Sequence, residues 1–283
     1  MKTMVVISHP TVQTSSTQQF FLATVKGEEA VTVRHLDEVW SEAKPHFTRV
    51  TEEKALLDSQ AKRLILQFPM YWYQAPSVMK EWIDTVMSKS APFAKQIKEL
   101  GVVVTLGVKE EAFRAGGKEQ FTISELLRPF QALANAMGWT YLPIFEVHQF
   151  DYKTEEAKQA LLVEYLQYVT QDNFGTLKET EEWFIQRAEA MSVHTGQRLP
   201  NGSRKTRTKD WSSRCILVTG RRVSMEIIEK IQLLDAWIGE AKDYKERALL
   251  VAAKTLLLEQ AKRIEQAHGE LDGRMWSPEN WAK

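Results

Sequence analysis

Short apolar runs alternate with helix-patterned segments through the first 175 residues of this 283-residue chain. Met4–Ile7 is continuously apolar, as a strand buried on both faces of a parallel sheet must be. Strand patterns recur over Ala30–Leu36, Arg63–Phe68, Leu100–Leu106 and Thr140–Val147, the last interrupted by Pro143. Helical patterns fall between them over Ser15–Lys26, Glu52–Lys62, Ser77–Met87 and Phe121–Met137, and a last one follows over Thr154–Thr170. This alternation requires a parallel sheet with helices on both faces.

Right-handed crossovers leave few arrangements of five such strands. The expected fold class is α/β, with a flavodoxin-like five-stranded parallel sheet of order 2-1-3-4-5. Ligands of such sheets sit beyond the carboxyl ends of the strands. The loops after Ile7, Phe68 and Leu106 are therefore the ones to search.

Residues 176–283 break the alternation and predict a mostly helical C-terminal extension. Leu177–Met191 patterns as a helix, and 194–222 is a basic connector rich in Gly, Ser and Thr, with room for a short strand at Cys215–Thr219. Ser224–His268 is helical by its three- and four-residue apolar steps. Unbroken it would be about 65 Å long, and Gly239 or Asp243 offers a place to fold it into a hairpin. Residues 1–175 hold 18 Lys/Arg and 21 Asp/Glu, a net charge of −3; residues 176–283 hold 19 and 16, a net charge of +3. The neutral total argues against a chain that coats nucleic acid or an anionic membrane surface, and no run approaches the roughly 18 apolar residues of a membrane span. The basic connector lacks the interleaved aromatics of single-strand binders and reads as solvated. The one cysteine, Cys215, excludes a disulfide framework and a cysteine-rich metal site. A cytoplasmic location is the expectation.

The first loop, Ser8 through Gln18, is crowded with hydroxyls and enters a helix, whose N-terminal N–H groups suit a phosphate. His9 can add a donor there. The second loop places Tyr71, Trp72 and Tyr73 in succession between Pro69 and Pro76. Three exposed aromatics call for a flat ligand or a protein partner. In the third loop, Gly107 permits close backbone approach, and Gly116-Gly117 marks a turn.

Three stretches together resemble the NAD(P)H:quinone oxidoreductase family. They are His9-Pro10 with Ser15 and Gln18; the segment from Phe68 through Pro76 with Lys80 and Trp82-Ile83-Asp84; and Phe121 through Phe130 with Gly138 and Tyr141-Leu142-Pro143. This family includes potassium-efflux ancillary proteins, and the resemblance covers about residues 1–175. It implies a flavodoxin-like domain that binds FMN or FAD, uses NAD(P)H as cosubstrate, forms a homodimer and reduces a quinone or similar small-molecule acceptor. Carried over by position, His9, Ser15, Thr17 and Gln18 would hold the flavin phosphate region. Pro69, Met70, Tyr71, Trp72 and Tyr73 would line the isoalloxazine, and Thr105 and Gly107 would meet its polar edge. Trp72 and Tyr73 are the expected stacking walls for the substrate; His148, just after the fifth strand, either lines the site from the partner subunit or is an ordinary strand-end histidine.

The chain departs from the family pattern at Val108, where a second glycine is usual. Phe113 and Glu119 stand where some members carry a Tyr–His relay. A second class of function stays open beside the enzyme: a regulatory flavodoxin-like module whose C-terminal helices dock to a protein partner.

Overall fold

The computed structural model describes residues 2–39, 46–172, 177–195 and 220–275. The chain divides into two compact units, Met1–Phe174 and Gly175–Lys283.

The first unit runs β1 (Thr3–Ile7), α1 (Ser16–Val25), β2 (Val31–His35), α2 (Leu36–Val39), α3 (His46–Gln60), β3 (Arg63–Pro69), α4 (Ser77–Val86), α5 (Phe93–Gln96) and β4 (Glu99–Leu106). It continues with α6 (Ile123–Leu126), α7 (Arg128–Met137), β5 (Thr140–Tyr141), β6 (Phe145–His148) and α8 (Glu155–Thr170). The sheet is parallel in the expected order, β2-β1-β3-β4-β5, with β6 also paired to β4. The single fifth strand expected over Thr140–Val147 is two pieces on the same edge of β4. Thr140 and Tyr141 lie opposite Glu99 and Leu100, and Phe145–His148 opposite Val103–Leu106. Proline has no N–H to give to a ladder, so Pro143 falls in the gap.

That gap is closed by a side chain. The Val102 N–H donates to the Tyr168 hydroxyl (3.2 Å), which donates to the Pro143 carbonyl (2.8 Å). A Cβ on Gly101 would lie 2.6 Å from the Tyr168 oxygen. Gly101 is thus required for the phenol of α8 to reach the sheet.

The expected helix over Phe121–Met137 is likewise two. Thr122 and Glu125 form a reciprocal capping box at the start of α6, and α7 restarts with Pro129 in its first turn and ends on left-handed Gly138. β1 and β3 are buried along their whole length. The core continues through Phe68, Trp82, Phe93 and the inner faces of β4 and α7. Of the buried charged groups, Arg63 pairs with Glu99 (2.6 Å) and Glu53 is also paired, while Arg49 is buried with its Nη1 lacking a hydrogen-bond partner among the described residues. Glu53, fully buried on α3, accepts from Arg34 of β2 (2.9 and 2.6 Å) and from the Trp82 indole of α4 (3.1 Å).

In the second unit, α9 spans Leu177–Thr195, α10 Gly220–Glu240 and α11 Tyr244–Met275. The long helix expected over Ser224–His268 is therefore a hairpin, broken at residues 241–243. Asp243 caps the second helix by accepting from the Glu246 N–H (2.9 Å). An ion pair from Lys254 to Asp235 (2.5 Å) joins the two arms. The strand expected at Cys215–Thr219, Cys215 itself and most of the basic connector 194–222 lie outside the described residues. Among the described residues, no helix is long and apolar enough to cross a membrane, and no cluster of His, Cys, Asp or Glu has metal-ligand geometry.

Candidate flavin site

All strands of the sheet are parallel, so the loops after β1, β3, β4 and β6 gather at one end. In the first loop, the Ser15 hydroxyl accepts from the Gln18 N–H (3.3 Å) and caps α1. The Gln19 N–H already bonds the Ser15 carbonyl (2.9 Å). The N–H groups of Ser16 and Thr17 are left open at the positive end of the helix. The Ser16 hydroxyl is engaged by Asp151, from the turn after β6, at 2.5 Å.

His9 is held by its backbone. Its N–H donates to Asp37 (2.8 Å), and its carbonyl faces His35 Nε2 at 3.0 Å. Its Nδ1 accepts from the Thr11 N–H (3.1 Å), which places the ring proton on Nε2. Burial lowers its pKa, Asp37 opposes that shift, and nearby His35 adds to it. His9 thus offers a neutral N–H donor rather than a cation.

Gln18, expected at the phosphate, is engaged through its amide oxygen. Its side chain is fully buried, and its amide oxygen accepts from Gln67 of β3 (2.6 Å), whose own oxygen accepts from the Tyr165 hydroxyl (2.6 Å). The bond to Gln67 anchors α1 to the sheet through the amide oxygen, while the Gln18 Nε2 is buried without a hydrogen-bond partner among the described residues. The sequence signal was Gln67 itself, a polar residue within the run Leu64-Ile65-Leu66-Gln67-Phe68.

The aromatic loop is a tight hairpin. Tyr71 and Gln74 exchange two backbone bonds (2.9 and 3.0 Å). The two central residues, Trp72 and Tyr73, both have left-handed backbone, φ 47° and 66°. Two positive φ values are the signature of a type I′ turn, which ordinarily takes Asn or Gly. Bulky residues there store backbone strain of a kind that concentrates at functional sites. The turn thrusts Trp72 out, 92% exposed, with Tyr71 and Tyr73 half-exposed beside it. The Tyr73 hydroxyl donates to Glu119 (2.8 Å), and this bond raises the phenol's pKa. Glu119 therefore meets Tyr73 rather than Phe113. Pro69, expected on the ring wall, is buried as the last residue of β3, and Met70 packs half-buried against the core. Both support the turn from below.

The third loop has its carbonyls pinned. The Gln149 N–H donates to the Leu106 carbonyl (2.8 Å), the Gln149 amide to Gly107 (3.4 Å), and His148 Nδ1–H to Val108 (3.0 Å). In a planar trans peptide the N–H points opposite to the C=O. The N–H groups of Gly107, Val108 and Lys109 consequently point away from β6, and no bond to them is described within the chain. A Cβ on Gly107 would meet nothing within 4 Å. Nothing in the fold requires glycine there, so its backbone is open to a ligand. Thr105 is tied to the aromatic loop by the Met70 N–H (3.1 Å).

His148 is engaged within its own chain. Its side chain is 10% exposed, packed 6.2 Å from the Phe113 ring, with Nε2 on Glu146 (3.2 Å). It braces the loop. Gln149 and Asp151 were not singled out from the sequence; a left-handed φ of 44° marks Gln149 in the structure.

Two open helix N–H groups, three free peptide N–H groups beside an uncrowded glycine, and an exposed aromatic turn fit a phosphorylated planar heterocycle. Residues 1–170 match the model of the Flavodoxin_2 family, a flavodoxin-like fold. The chain belongs to this family. An NADPH-quinone reductase of P. pentosaceus is 42% identical with a TM-score of 0.55, covering 62% of this chain and 100% of that one. General stress protein 14 of Treponema denticola, solved in complex with FMN, is 27% identical with a TM-score of 0.51, covering 60% of this chain and 98% of that one. A Bacillus subtilis (strain 168) protein named as an uncharacterized NAD(P)H oxidoreductase, YrkL, is 36% identical over 150 residues, 51% of this chain and 84% of the relative.

Proposed function

We propose that this flavodoxin-like chain is an NAD(P)H oxidoreductase that holds FMN noncovalently and reduces a quinone or a similar small acceptor, as a homodimer. The observation that carries the reading is the third loop, where three carbonyls are pinned toward β6 and three peptide N–H groups are left free around Gly107. The FMN of the T. denticola relative supports FMN over FAD, and the names of the P. pentosaceus and B. subtilis relatives support the hydride donor and the acceptor class.

On this reading the N–H groups of Ser16 and Thr17, with His9 Nε2–H and the Thr17 hydroxyl, take the phosphate. The N–H groups of residues 107–109 take the polar edge of the ring, beside Thr105. Tyr71, Trp72 and Tyr73 form the apolar wall against which the ring and its reaction partners stack. Bound FMN supplies the hydride chemistry, and the protein supplies orientation and hydrogen bonds.

The test is the absorption spectrum of the purified protein, chromatography of the released cofactor, and NADPH oxidation with a quinone. A yellow protein that releases FMN and consumes NADPH only with acceptor present is expected. A colourless protein that does not bind added FMN overturns the reading.

A further inference from the structure

The bracing of the third loop is a chemical requirement on one side chain. His148 faces two groups that can only accept: the Val108 carbonyl oxygen at Nδ1 (3.0 Å) and the Glu146 carboxylate at Nε2 (3.2 Å). A neutral imidazole carries one N–H and would leave a lone pair against one of these oxygens. Both contacts are made only by the doubly protonated ring. We propose that His148 is held as an imidazolium that positions the Val108 peptide, and so acts as a charge-bearing positioning residue for the flavin edge; this rests on the FMN reading above.

The surroundings agree. Burial opposes the charge, but the bonds to Glu146 and Val108 and the fields of Glu146 and Glu110 outweigh it and hold the ring above its usual pKa. Glu146 lies on the same strand, Glu110 on the short turn at Glu110–Ala112, and the uncharged Phe113 ring packs alongside. These are the groups that face it. The imidazolium turns the Val108 carbonyl toward β6, which turns the Lys109 N–H the other way. Gln149 does the same for the two preceding peptides without needing a proton. The third peptide alone depends on pH.

The sign follows from the raised pKa. The imidazolium is intact below it; as pH rises through it, the Glu146 carboxylate holds the remaining proton at Nε2, and the Nδ1–H on the Val108 carbonyl is the one lost. Flavin affinity should then fall with rising pH. FMN carries a titrating phosphate of its own, so riboflavin, which lacks it, is the cleaner probe beside FMN. Binding of both would be measured by fluorescence quenching between pH 6 and pH 9 in the full chain, in His148→Ala and in Glu146→Gln. The wild type should bind riboflavin more weakly at the alkaline end. His148→Ala should bind it roughly tenfold more weakly at low pH, as expected for a lost charge-assisted bond, and with a flat profile. In Glu146→Gln the transition should move to lower pH, and this milder change carries the test if His148→Ala does not fold.

Nitrogen chemical shifts of the His148 ring in the flavin-free protein give a readout independent of binding. Both nitrogens protonated at neutral pH is the expected result. A neutral ring, or identical pH profiles in wild type and His148→Ala, overturns the proposal while leaving the FMN reading intact. A wild type that binds neither FMN nor riboflavin overturns the FMN reading itself.

Discussion

Gly107 differs from the glycines that packing requires. Gly101 and Gly117 are hemmed in: a Cβ would lie only 2.6 Å from Tyr168 at the first and 2.5 Å from the Ala112 carbonyl at the second. Gly107 has no such neighbour and no left-handed backbone. Gly107→Val should therefore leave stability within about 0.5 kcal/mol of wild type, as for a surface substitution. It should weaken FMN binding at least tenfold by filling the approach to the free N–H groups. Thermal denaturation and FMN titration check the two halves; a large fall in Tm would show that the glycine serves the fold. Val108, one residue on, is 39% exposed. Its bulk is compatible with the loop because its carbonyl is taken by His148 and its side chain stands in solvent.

The elements depend on a few side chains that replace missing backbone bonds. Tyr168 of α8 is the clearest, because its hydroxyl serves both the Val102 N–H and the Pro143 carbonyl where β5 and β6 part. Tyr168→Phe keeps the ring and removes the bridge. It should destabilise the first unit by about 1–3 kcal/mol, the usual cost of buried polar groups left unpaired. Chemical denaturation measures this, and an unchanged midpoint would mean that the gap rearranges to pair itself. The aromatic turn shows the opposite tendency. It keeps two strained residues where Asn-Gly would be relaxed, and so trades stability for an exposed Trp72.

For the whole molecule, the division into Met1–Phe174 and Gly175–Lys283 predicts that the site is self-sufficient. Every bond invoked at the site joins residues of the first unit. A chain ending after Phe174 should bind FMN with unchanged stoichiometry, while its oligomeric state changes with loss of the helical unit. Light scattering and FMN titration decide the matter. Loss of flavin binding would place part of the site in the second unit, and an unchanged mass would deny the helices a role in assembly.

Sheet order was legible because it follows from local patterns. Four- to eight-residue apolar runs alternating with amphipathic helices admit few right-handed arrangements, and no long-range contact is needed to read them. The three loops were legible for the same reason, since each begins where a strand pattern stops. Individual roles were less so. Gln18 was expected at the phosphate, and its amide oxygen is taken by Gln67, 49 positions away in sequence yet beneath α1 on β3, while its Nε2 has no partner among the described residues. His148 read either as a wall lent by a partner subunit or as a strand-end histidine, and its bracing of the third loop was not legible because its partners Val108 and Glu146 come together only when β6 pairs with β4. The sequence by itself determined the fold class and the end of the sheet at which the candidate loops gather, since both depend on periodicity and chain order. Only the tertiary structure decided which polar groups are consumed inside the protein and which are left for a ligand, because hydrogen-bond partners are set by distance in space rather than by separation along the chain.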